Sequence, residues 1–441
     1  MANPFLPLWE YIPDGEPRVF GDRVYVYGSH DNAGVDTFCD YKLKVWSAPL
    51  DNLNLWQCHG DSFHTKADRD HSSSIDWSEN QLYAPDVVEK DGKYYLYAYI
   101  VDAKGCVAVS DTPEGPFTLL SQYEYPMPDD LEGFDKGIFV DPGVLVDDDG
   151  KVYIYCGFLS SYMAEINPDN MYEILEGSFQ KDIIPVEEPF AFFEACSLRK
   201  IGDTYYMIYS PKRGSCLAYA TSKSPKGPFA YQGIIVDNGD DYPGGNDHGS
   251  ICFINGEWYI FYHRMTNGTV FSRRACVEKI QIASDGTIPQ VKMTSLGFES
   301  ALNPYKETQA DIACVLKEGA YVVQYNEFER TVANIQNGCI IGYRYFDFGE
   351  DNSSETMEFV AKIRGTGCRS RMRIVLDDYE NGVEIGTCEI GMDNHIYKAV
   401  TKNVTGYHAL FFLVEDTTEG WGGQMLKGRQ LFELESFLFM K

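Results

Sequence analysis

Five polar side chains stand at matching points of a repeated pattern, and their types are those of acid–base hydrolysis. Asp14 (PDGEPRVF), Asp86 (APDVVEK), Asp141 (VDPGVLV), Glu194 (FEACSLRK) and His248 (DHGSICFI) each head an apolar run. Six to nine residues after each comes a glycine turn and a strand of alternating aromatic and branched residues. The five copies are GDRVYVYG from Gly21, GKYYLYAY from Gly92, GKVYIYCG from Gly150, GDTYYMIY from Gly202 and GEWYIFYH from Gly256. Cleaving a glycosidic bond with inversion needs one carboxylate to activate water and one carboxylic acid to protonate the departing oxygen, roughly 6.5–9.5 Å apart. A third acid nearby keeps the proton on the second at neutral pH, because like charges raise each other's pKa. Asp14, Asp141 and Glu194 could supply all three groups. A lone Asp beside Pro or Gly is most simply a turn former, and Asp141 in DPG fits that description. Glu194 does not: FFEAC sets a carboxylate inside an apolar run, where burial without purpose is costly.

The elements that must position these groups follow from the spacing. The turn glycines lie 71, 58, 52 and 54 residues apart, which fits one four-stranded propeller blade per copy. Inner strands of a propeller start at one mouth of the central channel, so five equivalent positions converge on one pocket. A second echo supports the blades: AVSDTPEGPF (108–117) and ATSKSPKGPF (220–229) are nearly the same segment, with VWSAPLDNL (45–53) a looser copy. No sixth copy exists. The expectation is an all-β chain, with a five-bladed β-propeller over residues 1–295. From Met293 the texture becomes polar and turn-prone, as in a linker. Seven short alternating runs follow, from AYVVQYNEF (320–328) to QLFELESFLFM (430–440), and predict a β-sandwich of jelly-roll type over 312–441. The loops at 32–40, 60–80, 122–138 and 158–190 are expected to set the depth of the pocket.

Bulk properties exclude some partners. The chain has 441 residues and a formal net charge of −29, which repels a nucleic-acid backbone. No apolar stretch approaches the roughly 20 residues that span a bilayer, so neither nucleic acid nor membrane is an expected partner. Twelve cysteines are scattered singly, without a CxxC pair, and no Cys/His cluster has zinc spacing. The start, MANPFLPLWEYIPDG, lacks the basic and apolar regions of a signal peptide. A cytoplasmic location is expected, or secretion if a leader has been trimmed away.

The chain resembles glycoside hydrolase family 43. The resemblance is carried by NPFLPLWEYIPDGEPRVFGDRVYVYGSHD, LYAPDVV, VDPGVLVDDDGKVYIY, FEACSLRKIGDTYYMIYS and GGNDHGSICFINGEWYIFYHR, in the family's order over residues 3 to about 290. It implies a five-bladed propeller that hydrolyses arabinose- and xylose-containing saccharides with inversion. It implies that Asp14 is the base, Glu194 the general acid, and Asp141 the acid that tunes Glu194 and orients the sugar. The base lies in IPDGEP rather than the commoner ADPS-type context, a departure that leaves the subfamily open. His248 matches a histidine that contacts substrate or helps hold a cation. Arg274 matches an arginine that reaches the sugar or the general acid, with Arg273 its rival, because strand neighbours face opposite sides. Asp86 is expected to line the pocket and His30 its first-blade rim. Trp77, Tyr83, Phe193 and Tyr242 are the candidate aromatic platforms for a sugar.

The C-terminal module resembles carbohydrate-binding module family 6, in NGCIIGYRYFDFG, RIVLDDYENGVEIG and LFELESFLFMK. That resemblance implies sugar binding through loop aromatics such as Trp421 and Tyr379, and a possible structural calcium, with no cofactor required for catalysis. The other role open to it is to buttress the propeller. The functional expectation is an exo-acting α-L-arabinofuranosidase, with β-xylosidase, galactofuranosidase or exo-galactanase as alternatives on the same fold. A lectin-like propeller without catalysis, or a protein-binding scaffold, are the readings from other classes.

Overall fold

The computed structural model describes residues 2–101, 105–122, 139–351 and 353–441; the expected pocket loop at 122–138 falls, from residue 123 on, outside them. The first 280 residues form five antiparallel sheets, one per sequence repeat, as the spacing predicted. Four have four strands. Their inner strands are Glu16–Phe20, Leu82–Lys90, Gly143–Val146 and Phe192–Ile201, and their outer strands Gln57–His64, Thr118–Gln122, Gln180–Lys181 and Ala230–Asp237. The fifth has three, Ser250–Ile254, Glu257–Thr266 and Thr269–Ile280.

The chain start closes the ring. Phe5 N–H donates to Ala275 O at 3.2 Å along the free edge of the fifth sheet. The Asn3 side chain brackets Val277, donating to its carbonyl at 2.7 Å and accepting from its N–H at 2.9 Å. A parallel bridge between Gly15 and Gly249 joins the inner strands of blades one and five.

Local sequence explains these sheets. In each second strand the alternating aromatic and branched residues pack both faces, because each blade is covered by the next; Val24, Tyr25, Val26 and Tyr27 are all buried. The hairpin before it turns on a glycine in the left-handed region, as at Gly92 (φ 76°) and Gly150 (φ 83°). At the centre the inner strands approach so closely that side chains have no room. A Cβ on Gly143 would lie 2.2 Å from Cys196 O of the neighbouring inner strand, and one on Gly249 would lie 1.8 Å from Phe261 O of the second strand of its own blade.

The remaining strands make two packed antiparallel sheets, as the jelly-roll expectation required. One runs in the order Tyr321–Gln324, Arg330–Ile335, Phe432–Met440, Thr356–Gly365, His395–Lys402. The other runs Val315–Lys317, Ile340–Asp347, Tyr407–Asp416, Ser370–Leu376, Val383–Ile390. Their core is aromatic, with Tyr343, Phe359, Phe412 and Phe437 in mutual contact. The apolar cluster is continuous with Ile251, Ile260 and Tyr262 of blade five. The segment read as a linker is tied down at this junction. Thr294 Oγ1 donates to Glu278 at 2.6 Å, and Ser295 N–H donates to Arg344 O at 2.6 Å. Among the described residues a short α-helix, Gly420–Leu426, and one 3-10 turn, Ala310–Ile312, break the all-β pattern. No helix among the described residues is long and apolar enough to cross a membrane.

Gly143→Ala should destabilise the propeller by about 1–3 kcal/mol, the cost of overpacking against backbone that cannot give. The check is the urea midpoint of the variant. An unchanged midpoint would show that the channel wall is looser than this geometry.

Candidate active site

At the channel mouth lies a pocket of about 470 Å³. Its polar lining is Asp14, Asp141, Glu194, Asn246, His248 and Arg273, and its apolar wall includes Phe38, Tyr83, Tyr99, Phe158 and Phe193. The structure thus brings together four of the five residues picked out by repeat phase. Their backbones are held in an unusual conformation. Asp14 (φ 58°) and Asp141 (φ 53°) are left-handed, as is Ala195 (φ 69°) beside Glu194. Such positions cost energy for residues other than glycine and persist only where neighbours enforce them. Here they turn each carboxylate off its strand and toward the mouth. At Glu194 a register shift between Glu194↔Ser210 and Ser197↔Ile208 adds to the turn.

Asp14 is the most tightly held acid. Arg273 Nη1 donates to its Oδ1 at 2.8 Å, and Ser29 Oγ donates to its Oδ2 at 2.6 Å. Ser29 in turn accepts the Ala84 N–H at 2.8 Å. Arg273 is itself fixed by a two-pronged contact with Asp31, Nε to Oδ2 at 2.8 Å and Nη2 to Oδ1 at 3.0 Å. The Asp14 N–H donates to Nδ1 of His263 at 3.3 Å, while the other ring nitrogen meets Asn246 O at 3.1 Å. Burial and the charge of Arg273 push His263 down to about 3, so this ring is neutral and carries its proton on Nε2. Burial works against ionising Asp14, yet the charges of Arg273 and His248, with the Ser29 hydrogen bond, outweigh it and hold the carboxyl below its ordinary range.

The other two acids lean the opposite way. Burial, with the charge of Asp14 added and His248 opposing, raises Asp141 to about 6. Burial and the charge of Asp141 raise Glu194 to about 8, so its carboxyl holds a proton at neutral pH. His248 sits between the carboxylates, Nδ1 4.0 Å from Asp14 Oδ1 and 3.8 Å from Asp141 Oδ2, with Nε2 3.8 Å from Glu16 Oε1. Burial disfavours its charge, but Glu16, Asp141 and Asp14 together raise it to about 9, making it an imidazolium at neutral pH. One pocket therefore holds an ionised acid and a neutral one.

Three expectations need correction. Arg274 does not reach the pocket: its guanidinium lies over the Tyr11 ring at 4.9 Å and donates to Gln324 Oε1 at 2.9 Å, on the sandwich side. Its rival Arg273 faces the acids, because the pairs Met265↔Arg273 and Arg264↔Arg274 assign the two neighbours to opposite faces. Asp86 does not line the pocket either. Counted from the hairpin turns, the fifth pairs are Glu16↔Tyr27, Asp86↔Tyr97, Ser197↔Ile208 and Ser250↔Phe261. Asp86 therefore belongs with Glu16, two residues deeper than Asp14 and His248, where it pairs with Arg18 and accepts the Val144 N–H at 2.8 Å. His30 lies outside the pocket, clamped between Asp40 Oδ2 at 3.1 Å and Glu10 Oε1 at 3.0 Å.

Of the aromatic candidates, Tyr83 and Phe193 line the pocket. Tyr242 is buried under Arg264, and Trp77 packs on the core of blades one and two. Tyr379 is not a free loop aromatic: it packs edge-on against Phe411, and its OH meets Lys317 Nζ at 3.2 Å. Trp421 is 78% exposed.

Sequence reasoning missed Ser29, Asp31, His263 and Asn246. The first two flank His30 in GSHD, and His263 ends the fifth repeat, YIFYH. Asn246, in GGNDHG, lines the pocket, and its Oδ1 is sealed from solvent without a partner. As for calcium, no three carboxylate, imidazole or thiolate donors converge in the sandwich among the described residues. A calcium there would be held by backbone and amide oxygens, so the side chains present are not assembled for it.

Comparison with known proteins agrees with the geometry. Residues 3–288 match the profile of glycosyl hydrolases family 43. A xylosidase/arabinosidase of Thermoclostridium stercorarium is 38% identical, over 96% of this chain and 97% of its own length. Among solved structures, a β-xylosidase/α-arabinofuranosidase from a compost metagenome, bound to xylotriose in a calcium-free form, is 28% identical with a TM-score of 0.54. It covers 66% of this chain and 97% of its own. The arabinoxylan arabinofuranohydrolase of Bacillus subtilis, solved with cellotetraose, shares the fold over 100% of this chain and 97% of its own, with a TM-score of 0.57 and 24% identity.

The contrast between the acids can be measured directly. In difference infrared spectra, a neutral carboxyl C=O band should vanish as the pH passes about 8, and Glu194→Gln should abolish that step. Asp141→Asn removes a negative charge from beside Glu194, eases its ionisation, and should move the step to lower pH. A step that stays put would mean that Asp141 does not act on Glu194.

Proposed function

The chain belongs to glycosyl hydrolases family 43, and we propose that it is an inverting, exo-acting α-L-arabinofuranosidase, with β-xylosidase activity at the same site. The observation that carries this reading is the pairing of an ionised Asp14 with a protonated Glu194 across one pocket. The named activities of the Thermoclostridium and compost relatives support arabinose and xylose as the sugars.

In this mechanism the terminal sugar lies with its apolar face on the wall that holds Tyr83 and Phe193. Asp14 accepts a proton from a water molecule whose oxygen attacks the anomeric carbon. Glu194 donates its proton to the glycosidic oxygen as the bond to the anomeric carbon breaks. Attack and departure occur on opposite faces, so configuration inverts and no glycosyl–enzyme bond forms. Asp141 keeps Glu194 protonated between turnovers. Arg273 keeps Asp14 ionised, and Asn246 is the amide of the pocket wall on the sugar's side. No step draws on a cofactor. The expected partners are arabinose- and xylose-containing oligosaccharides or polysaccharides. Twelve unpaired cysteines, eleven of them buried, favour a reducing cytoplasm as its location.

The test is hydrolysis of p-nitrophenyl α-L-arabinofuranoside, p-nitrophenyl β-D-xylopyranoside and an arabinoxylo-oligosaccharide. Asp14→Asn should cost about 10²–10⁴-fold on all substrates cleaved. Glu194→Gln should cost as much on the oligosaccharide and less on the nitrophenyl glycosides, whose leaving group needs little protonation. The kcat/KM profile should fall at high pH as Glu194 ionises near 8, and the first-formed sugar should show inverted configuration by NMR. Absence of hydrolysis, or a fully active Glu194→Gln on the oligosaccharide, would overturn the assignment.

A further inference from the structure

Away from the pocket, on the outer edge of blade one, four metal-ligating side chains meet. Asp61, His64, Asp68 and His71 each place one ligand atom within 4.8 Å of the others. Two features show that the strand and the loop are built to bring them together. Along Gln57–His64 the pairing runs Lys42↔His64, Leu43↔Phe63, then Lys44↔Asp61, so one extra residue is accommodated between Phe63 and Asp61. Without that bulge, residues 61 and 64 would face opposite sides of the sheet; with it they share one face. The loop that follows is folded back on the strand by Ser74 N–H to His64 O at 2.8 Å and by His64 N–H to Ser74 Oγ at 3.0 Å. A tight turn, with the Asp68 N–H on His71 O and the His71 N–H on Asp68 Oδ1, then sets Asp68 and His71 over the strand.

The second observation concerns His64. It is 6% exposed, and its Nε2 is sealed from solvent without a hydrogen-bond partner. Leaving a buried imidazole nitrogen unpaired carries a desolvation cost that a ligand would remove. A cavity of about 160 Å³, with His64 and Asp68 in its wall, gives a path to the ring.

We propose that Asp61, His64, Asp68 and His71 form a binding site for a divalent transition cation of the zinc type. Two imidazoles and two carboxylates suit a four-coordinate zinc shell and do not suit calcium, which takes six to eight oxygens. Two local adjustments accompany binding. The rings of His64 and His71 lie 4.6 Å apart at 21°, nearly stacked, whereas a shared cation must lie in the plane of each. His71, whose side chain is 43% exposed, turns. Lys42 Nζ, 3.1 Å from Asp61 Oδ2, gives up that contact; its side chain is 27% exposed and free to swing into solvent. The cation would staple the loop 65–75 to its strand, at the start of the segment that leads into Tyr83 of the pocket wall.

The test uses the full chain, stripped with a chelator and titrated with Zn²⁺ by equilibrium dialysis and with Co²⁺ by visible absorption. The expected result is one cation per chain and ligand-field bands typical of four-coordinate Co²⁺. His71→Gln and Asp61→Asn should each lose at least tenfold in affinity. Saturating Zn²⁺ should raise the unfolding midpoint of the native chain but not that of His71→Gln. His71 is largely on the surface, so its variant should keep the metal-free midpoint, which separates a lost ligand from a lost fold. No stoichiometric binding, or binding unchanged by both substitutions, overturns the proposal and assigns the cation elsewhere or to adventitious contact. Glycosidase activity is not a readout, so this outcome is independent of the catalytic assignment.

Discussion

The centre of this molecule is a channel in which carboxylates are buried beside too few cations to neutralise them all. An ionised group taken out of water must be paired or give up its charge, and the cations here are unevenly shared. Arg18 serves Asp86, Arg199 serves Glu16, and Arg273 serves both Asp31 and Asp14. Asp141 has only His248 at 3.8 Å. Glu194 makes no ion pair among the described residues, and its burial together with the charge of Asp141 outweighs the pull of His248 and Arg273, so it keeps its proton. The acid and the base of the pocket thus follow from which carboxylate each arginine reaches, and the fold fixes that by strand phase.

Two tiers of inner-strand residues divide the work. The upper one, at the mouth, holds His248 and, on turned-out backbone, Asp14, Asp141 and Glu194. The lower one is a hydrogen-bonded plug: Ser197 Oγ lies 2.7 Å from Ser250 Oγ and donates to Glu16 at 3.1 Å, beside the Arg18–Asp86 pair. His248 links the tiers, facing Asp14 and Asp141 above and Glu16 below. The sandwich braces the mouth-side end of blade five from outside. The turn that joins the last two strands of blade five is held by Asn267 N–H to Val322 O and by Gln324 N–H to Asn267 Oδ1. Arg274, adjacent to Arg273, ends on Tyr11 and Gln324. The module whose role was open between sugar binding and buttressing therefore makes buttressing contacts to the strand that carries the pocket arginine.

What the sequence made legible was whatever depends on period. Blade count, inner-strand order and the convergence of Asp14, Asp141, Glu194 and His248 all follow from a repeat of about 50 to 70 residues. Where the reading failed, it failed by one or two residues. Asp86 was placed in the upper tier because its offset from the turn glycine, six residues, resembled the seven of Asp14. Only the pairing register shows it at the level of Glu16. The choice between Arg273 and Arg274 is a matter of strand parity, which adjacent identical residues cannot reveal. His30 drew attention because histidine is rare and reactive, while its neighbours Ser29 and Asp31 do the positioning. In the sandwich, His395–Lys402 went unseen because it is a largely exposed edge strand whose polar residues hide the alternation. The cluster at 61–71 escaped because a bulge sets its register, and nothing in the residue types announces a bulge.

The uneven sharing of charge also bears on how the proposed cycle ends. Each turnover moves one proton onto Asp14 and one off Glu194, so the net charge of the pocket is unchanged while its distribution is reversed. A protonated Asp14 leaves Arg273 without its counter-charge on that side. An ionised Glu194 would be buried beside the charge of Asp141. Both are the disfavoured states of their groups, for the same reasons that set the resting states. The product complex is therefore electrostatically strained relative to the resting enzyme. That strain drives return of the proton through solvent once the sugar leaves. His248, raised to about 9 by Glu16, Asp141 and Asp14 against its own burial, stays charged throughout and keeps Asp141 from taking the proton meant for Glu194. A pocket that shared its cations equally would hold two similar acids, and neither direction of transfer would be preferred.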